Sequence, residues 1–260
     1  MSQKETTKNK KEKGGLLEFI SVFVQAFIWA MLIRTFLFQP FTIPSGSMRP
    51  TLLVGDYLFV SKYAYGYSRF SFPLSLPIFS GRIWASQPER GDVLVFRLPS
   101  DPSIDYIKRV VGLPGDRIQV RQGVLYINDQ AISRQFIGQV DDPDITAINN
   151  PVDVYREKMS NGVSYDTLSF GYFSQVDDTK VFEVPSGHYF VMGDNRHNSD
   201  DSRLNVGYVP EENLIGRANL IFFSVSNNSR AWQFWRWPFD VRWARLFSSV
   251  NTIHDFPLNK

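Results

Sequence analysis

Between Gly14 and Phe38 the chain holds its one long apolar run, with Glu18 near one end and Arg34 near the other. A run of that length must be withdrawn from water, and about 20 helical residues cross the hydrocarbon core of a bilayer. Lys4, Lys8, Lys10, Lys11 and Lys13 precede it. By the positive-inside rule they hold residues 1–13 in the cytoplasm as a polar, disordered tail. Arg34 would snorkel outward at the far end, a few residues after Trp29. A cleaved signal peptide also begins with an apolar run, but this one is long, and Phe38-Gln39-Pro40-Phe41 lacks the small residues of a cleavage site. An uncleaved anchor over residues 14–39 is the expectation, ahead of a helix buried in a core.

The remainder reads as a folded protein. Apolar residues make up 43% and charged residues 21%, values outside the disordered range. A length of 260 residues allows one or two domains with a real core. Net charge is +2 and the basic residues form no stripe, which argues against a nucleic-acid partner. The absence of cysteine excludes disulfides, thiol catalysis and thiolate metal sites. His188, His197 and His254 show no helical pairing, so no metal or other cofactor is expected.

Short β-rich runs separated by Gly and Pro turns fill the rest and predict a mostly β protein with antiparallel sheets. Tyr57–Val60, Val93–Leu98 and Tyr106–Val111 read as strands. Leu113-Pro114-Gly115-Asp116 has the composition of a type II turn. Residues 117–120 and 124–127 read as a hairpin about Gln122-Gly123. Phe182–Val184 and His188–Met192 are short strands, and Ile215-Gly216-Arg217-Ala218 leads into a strand over Asn219–Val225. Residues 65–90 read as a loop, either on the surface or dipping Phe70, Phe72, Phe79 and Trp84 into lipid headgroups. Residues 131–180 lose periodicity and read as an inserted, smaller β subdomain within a core formed by residues 40–130 and 181–226. The tail, residues 227–260, holds Trp232, Trp235, Trp237 and Trp243 beside Arg236, Arg242 and Arg245. That mixture suits a membrane interface or ordinary packing on the β domain.

Directly after the anchor comes Phe41-Thr42-Ile43-Pro44-Ser45-Gly46-Ser47-Met48-Arg49-Pro50-Thr51-Leu52. The prolines fix φ and Gly46 permits a positive φ, so this is a stiff bend. Its serines either bond their own backbone, mark a polar exit from the membrane, or are presented for chemistry. A serine nucleophile needs a base. No Gly-x-Ser-x-Gly elbow, Ser-x-x-Lys pair or Lys-Thr-Gly run occurs. His197 with Asp200 or Asp201 would make a triad. Lys108 is the other candidate. On a strand it shares a face with Tyr106 and Val110, opposite Arg109. Burial there would lower its pKa and make it a base, whereas an edge position would leave it solvated and charged.

Three separated motifs coincide in order behind the anchor: Ser45–Leu52, Asp105–Asp116 and Gly193–Arg203, with Gly91-Asp92-Val93 as a fourth box. This pattern resembles bacterial type I signal peptidase (leader peptidase), over roughly residues 15–225. The resemblance implies a serine endopeptidase of signal-peptidase β fold, with Ser47 as nucleophile and neutral Lys108 as general base. It implies an oxyanion hole from the Ser47 N–H and the Ser45 hydroxyl. Ser199 would orient the lysine amine, while Asn195, Arg196, Asp201 and Arg203 would scaffold their loop. Phe41, Ile43, Pro44, Met48, Leu52, Tyr106 and Ile107 would line shallow pockets for small side chains.

The implied substrates are exported preproteins cut after small-x-small sequences, bound as a strand beside residues 41–45 and 105–108. The implied location is the cytoplasmic membrane, crossed once, with the catalytic domain outside. His197 stands where the family often has Asp, and Leu204–Tyr208 departs from the common ending. A self-cleaving Ser–Lys repressor would need a DNA-binding segment where residues 1–40 hold an anchor. A tethered binding module would have no need of Ser47, Lys108 and Ser199.

Overall fold

The structure, a computed structural model, describes residues 3–72, 75, 79–140, 151–170, 174–226 and 232–253, with residues 3–17 as backbone alone. Helix α1 spans Gln3–Phe36. It takes in most of the lysine-rich segment expected to be disordered. Lys, Glu and Gln are good helix formers and no proline intervenes, so the apolar helix propagates backward through them. Within it, Glu18–Phe36 has a mean hydropathy of 1.8 and none of it is buried. At 1.5 Å per residue these 19 residues span about 28 Å, close to the thickness of a hydrocarbon core. The helix ends earlier than residue 39. Phe38 already pairs with Ser61, and the helix end is tied down by Tyr67 Oη donating to the Phe36 carbonyl at 2.7 Å.

Among the described residues fifteen strands follow: β1 (Phe38–Thr42), β2 (Asp56–Ser61), β3 (Val93–Arg97), β4 (Asp105–Gly112), β5 (Arg117–Arg121), β6 (Val124–Ile127), β7 (Gln130–Ala131), β8 (Ser133–Val140), β9 (Val152–Lys158), β10 (Ser164–Phe170), β11 (Phe182–Glu183), β12 (His188–Met192), β13 (Val209–Pro210), β14 (Leu214–Ser224) and β15 (Ser248–Ser249). The main sheet has the order β1-β2-β14-β3-β4-β12-β13, with β15 added on β14. Among the described residues these strands pair with one another antiparallel throughout, and Leu168 of β10 makes a parallel bridge to Asn195. The fold is therefore the mostly β, antiparallel class expected, behind one apolar helix.

Two features of the main sheet matter for the site. Strand β1 is an edge, paired only with β2 among the described residues. Strand β4 pairs with β3 along residues 105–109 but with β12 only from Arg109 to Gly112. The other side of residues 105–108 is left open. Leu58, Val60, Val93 and Val95 from the sheet enclose one apolar cluster with Ile43, Met48 and Leu52 from the bend. The bend is thus seated on the sheet by burial of apolar side chains, roughly 1.5–3 kcal/mol for each one fully buried.

The expected turns form. Gly115 has a φ of 87°, as the third position of a type II turn requires. Gln122 and Gly123 have φ of 47° and 74°, the double positive φ of a two-residue hairpin. Residues 131–180 are more regular than expected, since β8–β10 make a three-stranded meander. Strand β14 starts at Leu214 rather than Asn219. A Cβ on Gly216 would collide with the Ser61 backbone, so this glycine marks a close strand approach and not a turn.

In residues 65–90, Phe70 is buried and unavailable to headgroups, while Trp84 is 80% exposed. In the tail Val241 and Val250 face inward, and Trp232, Trp235, Trp237 and Trp243 face outward.

Candidate active site

The bend and β4 meet at one contact. Lys108 Nζ donates to Ser47 Oγ at 2.7 Å, in a buried setting. Lys108 is 3% exposed, so the solvated-edge reading of this lysine is wrong. The bend folds over the face of β4 that carries it. The Tyr106 ring lies on the same face, with its centroid 5.2 Å from Nζ. Burial pushes the Lys108 amine down to about 8, against the opposing pull of Asp201, Asp200 and Asp194. An amine so placed is neutral in an appreciable fraction of molecules near neutral pH and can take a proton from Ser47.

The bend is held from the Gly193–Arg203 loop. Asn195 N–H donates to the Ser47 carbonyl at 3.1 Å, and Asn195 Nδ2 donates to the Gly46 carbonyl at 3.2 Å. Gly46 lies outside the positive-φ region it was expected to use. A Cβ there would meet the Arg49 side chain only at ordinary contact distance, 3.4 Å. Further along, Thr51 Oγ1 donates to Asp194 Oδ2 at 2.5 Å. Arg109 donates to both Asp194 carboxylate oxygens, at 2.8 and 2.7 Å. Arg109 is the residue after Lys108 and points to the opposite face, so the strand's alternation puts the base on one side and this anchor on the other. No bond among the described residues uses the Ser47 N–H, and Ser45 is exposed beside it.

The loop's carboxylates Asp194 and Asp201 are buried and matched by arginines. Asp201 accepts from the Gly193 N–H at 3.0 Å and from Arg203 Nη2 at 2.8 Å. Burial works to raise the Asp201 carboxyl, but Arg203 and the backbone N–H groups outweigh it and hold it below its ordinary value. Arg203 also donates to the Arg196 carbonyl at 2.7 Å. Ser199 Oγ is buried without a partner. It lies close to the Ser47 carbonyl, since a Cβ on Gly193 would overlap both.

His197 is engaged elsewhere. Its Nδ1 accepts from the Phe170 N–H at 2.7 Å and its Nε2 faces Asp177 at 2.9 Å. An accepting Nδ1 leaves Nε2 to donate. The ring therefore ties the loop to Phe170 and Asp177 and does not pair with Asp200 or Asp201, which removes the triad reading. The meander carries the other side of the loop. Arg196 donates to Glu157 at 2.7 and 2.6 Å, and Tyr165 Oη donates to Glu157 at 2.8 Å. Leu168 exchanges backbone bonds with Asp194 and Arg196 at 2.9 Å each.

Sequence reading missed Thr51, Arg109, Glu157 and Tyr165 as parts of this assembly. Their partners lie as far as 143 positions away in the chain. Among the pocket candidates, Phe41, Ile43, Met48, Leu52 and Ile107 share one cluster. Tyr106 packs on the neighbouring one. Met48 and Leu52 are wholly buried beneath it, while Pro44 is exposed.

The comparisons with known proteins agree on one family. The sequence profile described as "Signal peptidase, peptidase S26" matches residues 16–223. A curated relative named signal peptidase I from Rickettsia massiliae (strain Mtu5) is 43% identical over 232 residues, covering 86% of this chain and 85% of its own. One of the same name from Rickettsia typhi is 44% identical over 234 residues, with 86% and 85% covered. One from Rickettsia canadensis is 46% identical over 204 residues, with 75% and 76% covered. A crystal structure of a signal peptidase I from Enterococcus faecalis V583 is 27% identical and covers 51% of this chain and 97% of its own. Its TM-score of 0.32 is too low to rest anything on. With the profile spanning most of the chain and relatives above 40% identity, the chain belongs to the signal peptidase family, peptidase S26.

Proposed function

We propose that this serine peptidase of the signal peptidase family cleaves exported preproteins after small-x-small sequences, with Ser47 as nucleophile and Lys108 as its base. The observation that supports the dyad is the 2.7 Å contact between Lys108 Nζ and Ser47 Oγ around a buried amine. In the attacking form the amine is neutral, and the Ser47 O–H gives it the proton. Oγ bonds to the scissile carbonyl carbon, and the oxyanion is met by the Ser47 N–H and the Ser45 O–H. The lysine ammonium then passes its proton to the leaving amine, and the C–N bond breaks. A water, deprotonated by the same amine, hydrolyses the acyl-enzyme. The buried Ser199 hydroxyl is free to orient the amine, and Asn195, Arg196, Asp201 and Arg203 keep the loop that carries it in shape.

The substrate binds extended between two open strand edges, residues 41–45 and 105–108, by strand addition. Phe41, Ile43, Pro44, Ile107 and Tyr106 bound shallow pockets floored by Met48 and Leu52, and a larger side chain would overlap that floor. Residues 40–130 and 181–226 act as the catalytic core and residues 131–180 as its insert.

Helix α1 serves as a single membrane anchor with residues 1–13 in the cytoplasm and the catalytic domain on the outer face. An aromatic band supports a lipid-facing side. Tyr57 and Phe59 point away from the core that Leu58 and Val60 enter. Phe59 stacks on Phe222 at 4.2 Å and neighbours Phe38 at 6.2 Å, and Phe223 meets Trp237 at 5.1 Å. An outward sheet face is ordinarily polar when it meets water. This one runs aromatic from the end of α1 to the tail, as a headgroup layer favours.

The full chain in detergent, incubated with a preprotein bearing an Ala-x-Ala site, tests the reading. Wild type should cleave, and Ser47→Ala and Lys108→Ala should not. Cleavage by Lys108→Ala at the wild-type rate would remove the dyad.

A further inference from the structure

The family match ends at residue 223, yet the chain beyond it returns to the segment that carries Ser47. That segment is a closed loop. At its base Ile43 N–H donates to the Asp56 carbonyl at 2.9 Å and Gly55 N–H to the Ile43 carbonyl at 3.0 Å. Asp56 is fully buried. One carboxylate oxygen takes the Leu53 N–H at 2.8 Å and the other takes Ser224 Oγ at 2.6 Å. Arg245, from the tail, completes the set with Nε at 3.2 Å and Nη2 at 2.6 Å. The same Nη2 donates to the Thr51 carbonyl at 3.0 Å. Arg242 Nη1 reaches the Val54 carbonyl at 3.0 Å. Val250 is buried in the cluster of Ile43, Met48 and Leu52, directly under the bend.

We propose that residues 242–250 form a clasp that positions Ser47 for the reaction, with Arg245 as its key positioning residue. This rests on Ser47 being the nucleophile. Thr51 is the junction. Its hydroxyl is held by Asp194 and Arg109, the partner of the base strand, and its carbonyl is held by Arg245. The catalytic loop and the tail therefore grip one residue four positions after Ser47 from two sides. Arg245 is suited to this because its planar guanidinium spans a carboxylate and a carbonyl together, which the single ammonium of a lysine cannot do. It touches no reacting atom and acts only through the geometry of the loop. A displacement of about 1 Å at a reacting group costs on the order of a hundredfold in rate, so a small relaxation of Thr51 is enough to be measured.

The test uses the full chain in detergent and a short peptide substrate. Arg245→Ala should lower kcat by on the order of a hundredfold with KM nearly unchanged. Added methylguanidinium should restore part of it saturably, by filling the vacated site. Arg245→Lys keeps the charge opposite Asp56 and so guards against loss of folding. It should show a smaller fall in kcat, about tenfold, with its melting temperature close to wild type. Folded Arg245→Lys and Arg245→Ala with wild-type kcat would overturn the clasp while leaving the dyad intact. A fall in activity that only tracks the unfolded fraction, with no rescue by methylguanidinium, would also overturn it. Failure of wild type to cleave would take down both readings.

Discussion

The protonation of Lys108 sets a pH dependence whose size follows from its burial. The ordinary lysine value of 10.5 falls to about 8 at this site, a difference worth roughly 3 kcal/mol. At pH 7 such an amine is neutral in about one molecule in ten, against about one in three thousand for an unshifted lysine. The value of kcat/KM should therefore rise with pH, reach half its plateau near the Lys108 value of about 8, and level off above it, because only the neutral form accepts the Ser47 proton. The assay is initial-rate cleavage of a peptide substrate across this range. His197→Gln should leave the midpoint in place, since that ring is spent on Phe170 and Asp177. A midpoint near that of an ordinary imidazole that vanishes in His197→Gln would refute the assignment. So would a midpoint near 10.5, the ordinary lysine value.

The same shift is a stability statement. Between about 8 and 10.5 the unfolded chain holds a proton on Lys108 that the folded chain has released. Stability from this group therefore rises with pH across that window, and is fully lost once pH falls below the folded value. At pH 7 the folded protein carries the whole cost of keeping a charged amine out of water. Lys108→Met removes it and should be more stable than wild type by roughly 3 kcal/mol at pH 7, an inactive protein with a melting temperature several degrees higher. The gap should narrow at pH 10. A Lys108→Met variant less stable than wild type at pH 7 would show that the amine is solvated or compensated, contrary to its burial.

Ser45→Ala should lower kcat by about 10²–10³ with little change in KM if its hydroxyl meets the oxyanion, as single-turnover kinetics would show. Glu157→Ala leaves Arg196 buried without its carboxylate and should cost about 3–5 kcal/mol in denaturant unfolding. In vesicles with brominated lipids, Trp29 should be quenched by bromines deep in the chains. The tail tryptophans Trp232, Trp235, Trp237 and Trp243 should be quenched by shallow ones, each set being read after replacing the other set and Trp84 by Phe. An unquenched tail would place the aromatic band in water.

The sequence carried strands β2–β6, β11 and β12, most of β14 and the Leu113–Asp116 turn, because each rests on local backbone preferences. It left the exposure of Lys108 open for a physical reason. Alternation on β4 assigns Lys108 and Arg109 to opposite faces but is silent on what covers each. The cover for Lys108 is the bend some 60 positions earlier, as the span of the Ser47 bond shows. The meander escaped because its apolar face is short: Val140, Val152, Val154 and Leu168 bury together at one end, while the pairs further along are mixed or charged. Arg156 and Asp166 sit directly opposite one another across β9 and β10 and bond at 2.8 Å, which satisfies the sheet without the apolar alternation that announces one. The clasp escaped likewise, since Asp56 and Arg245 lie 189 positions apart.

The Gly193–Arg203 loop shows most sharply what hydropathy leaves out. Eleven consecutive residues without an apolar side chain read as a solvated loop or a bonded scaffold with equal ease. Asp194, Asn195, Arg196 and Asp201 are each at most 5% exposed. A hydropathy pattern scores each side chain against water one at a time, whereas burial of a charge is decided by its partner. Here Asp194 is matched by Arg109, Arg196 by Glu157 and Asp201 by Arg203. Removing one partner leaves the other unpaired in a dry site, so the loop is specified as a unit. Ser199 Oγ, with Asn195 Oδ1 and Arg196 Nε, is left without a partner in this loop among the described residues. Of these, the Ser199 hydroxyl is the group that the proposed mechanism assigns to a neutral amine. On the proposed mechanism Ser199 serves the chemistry and its ion-paired neighbours serve the scaffold.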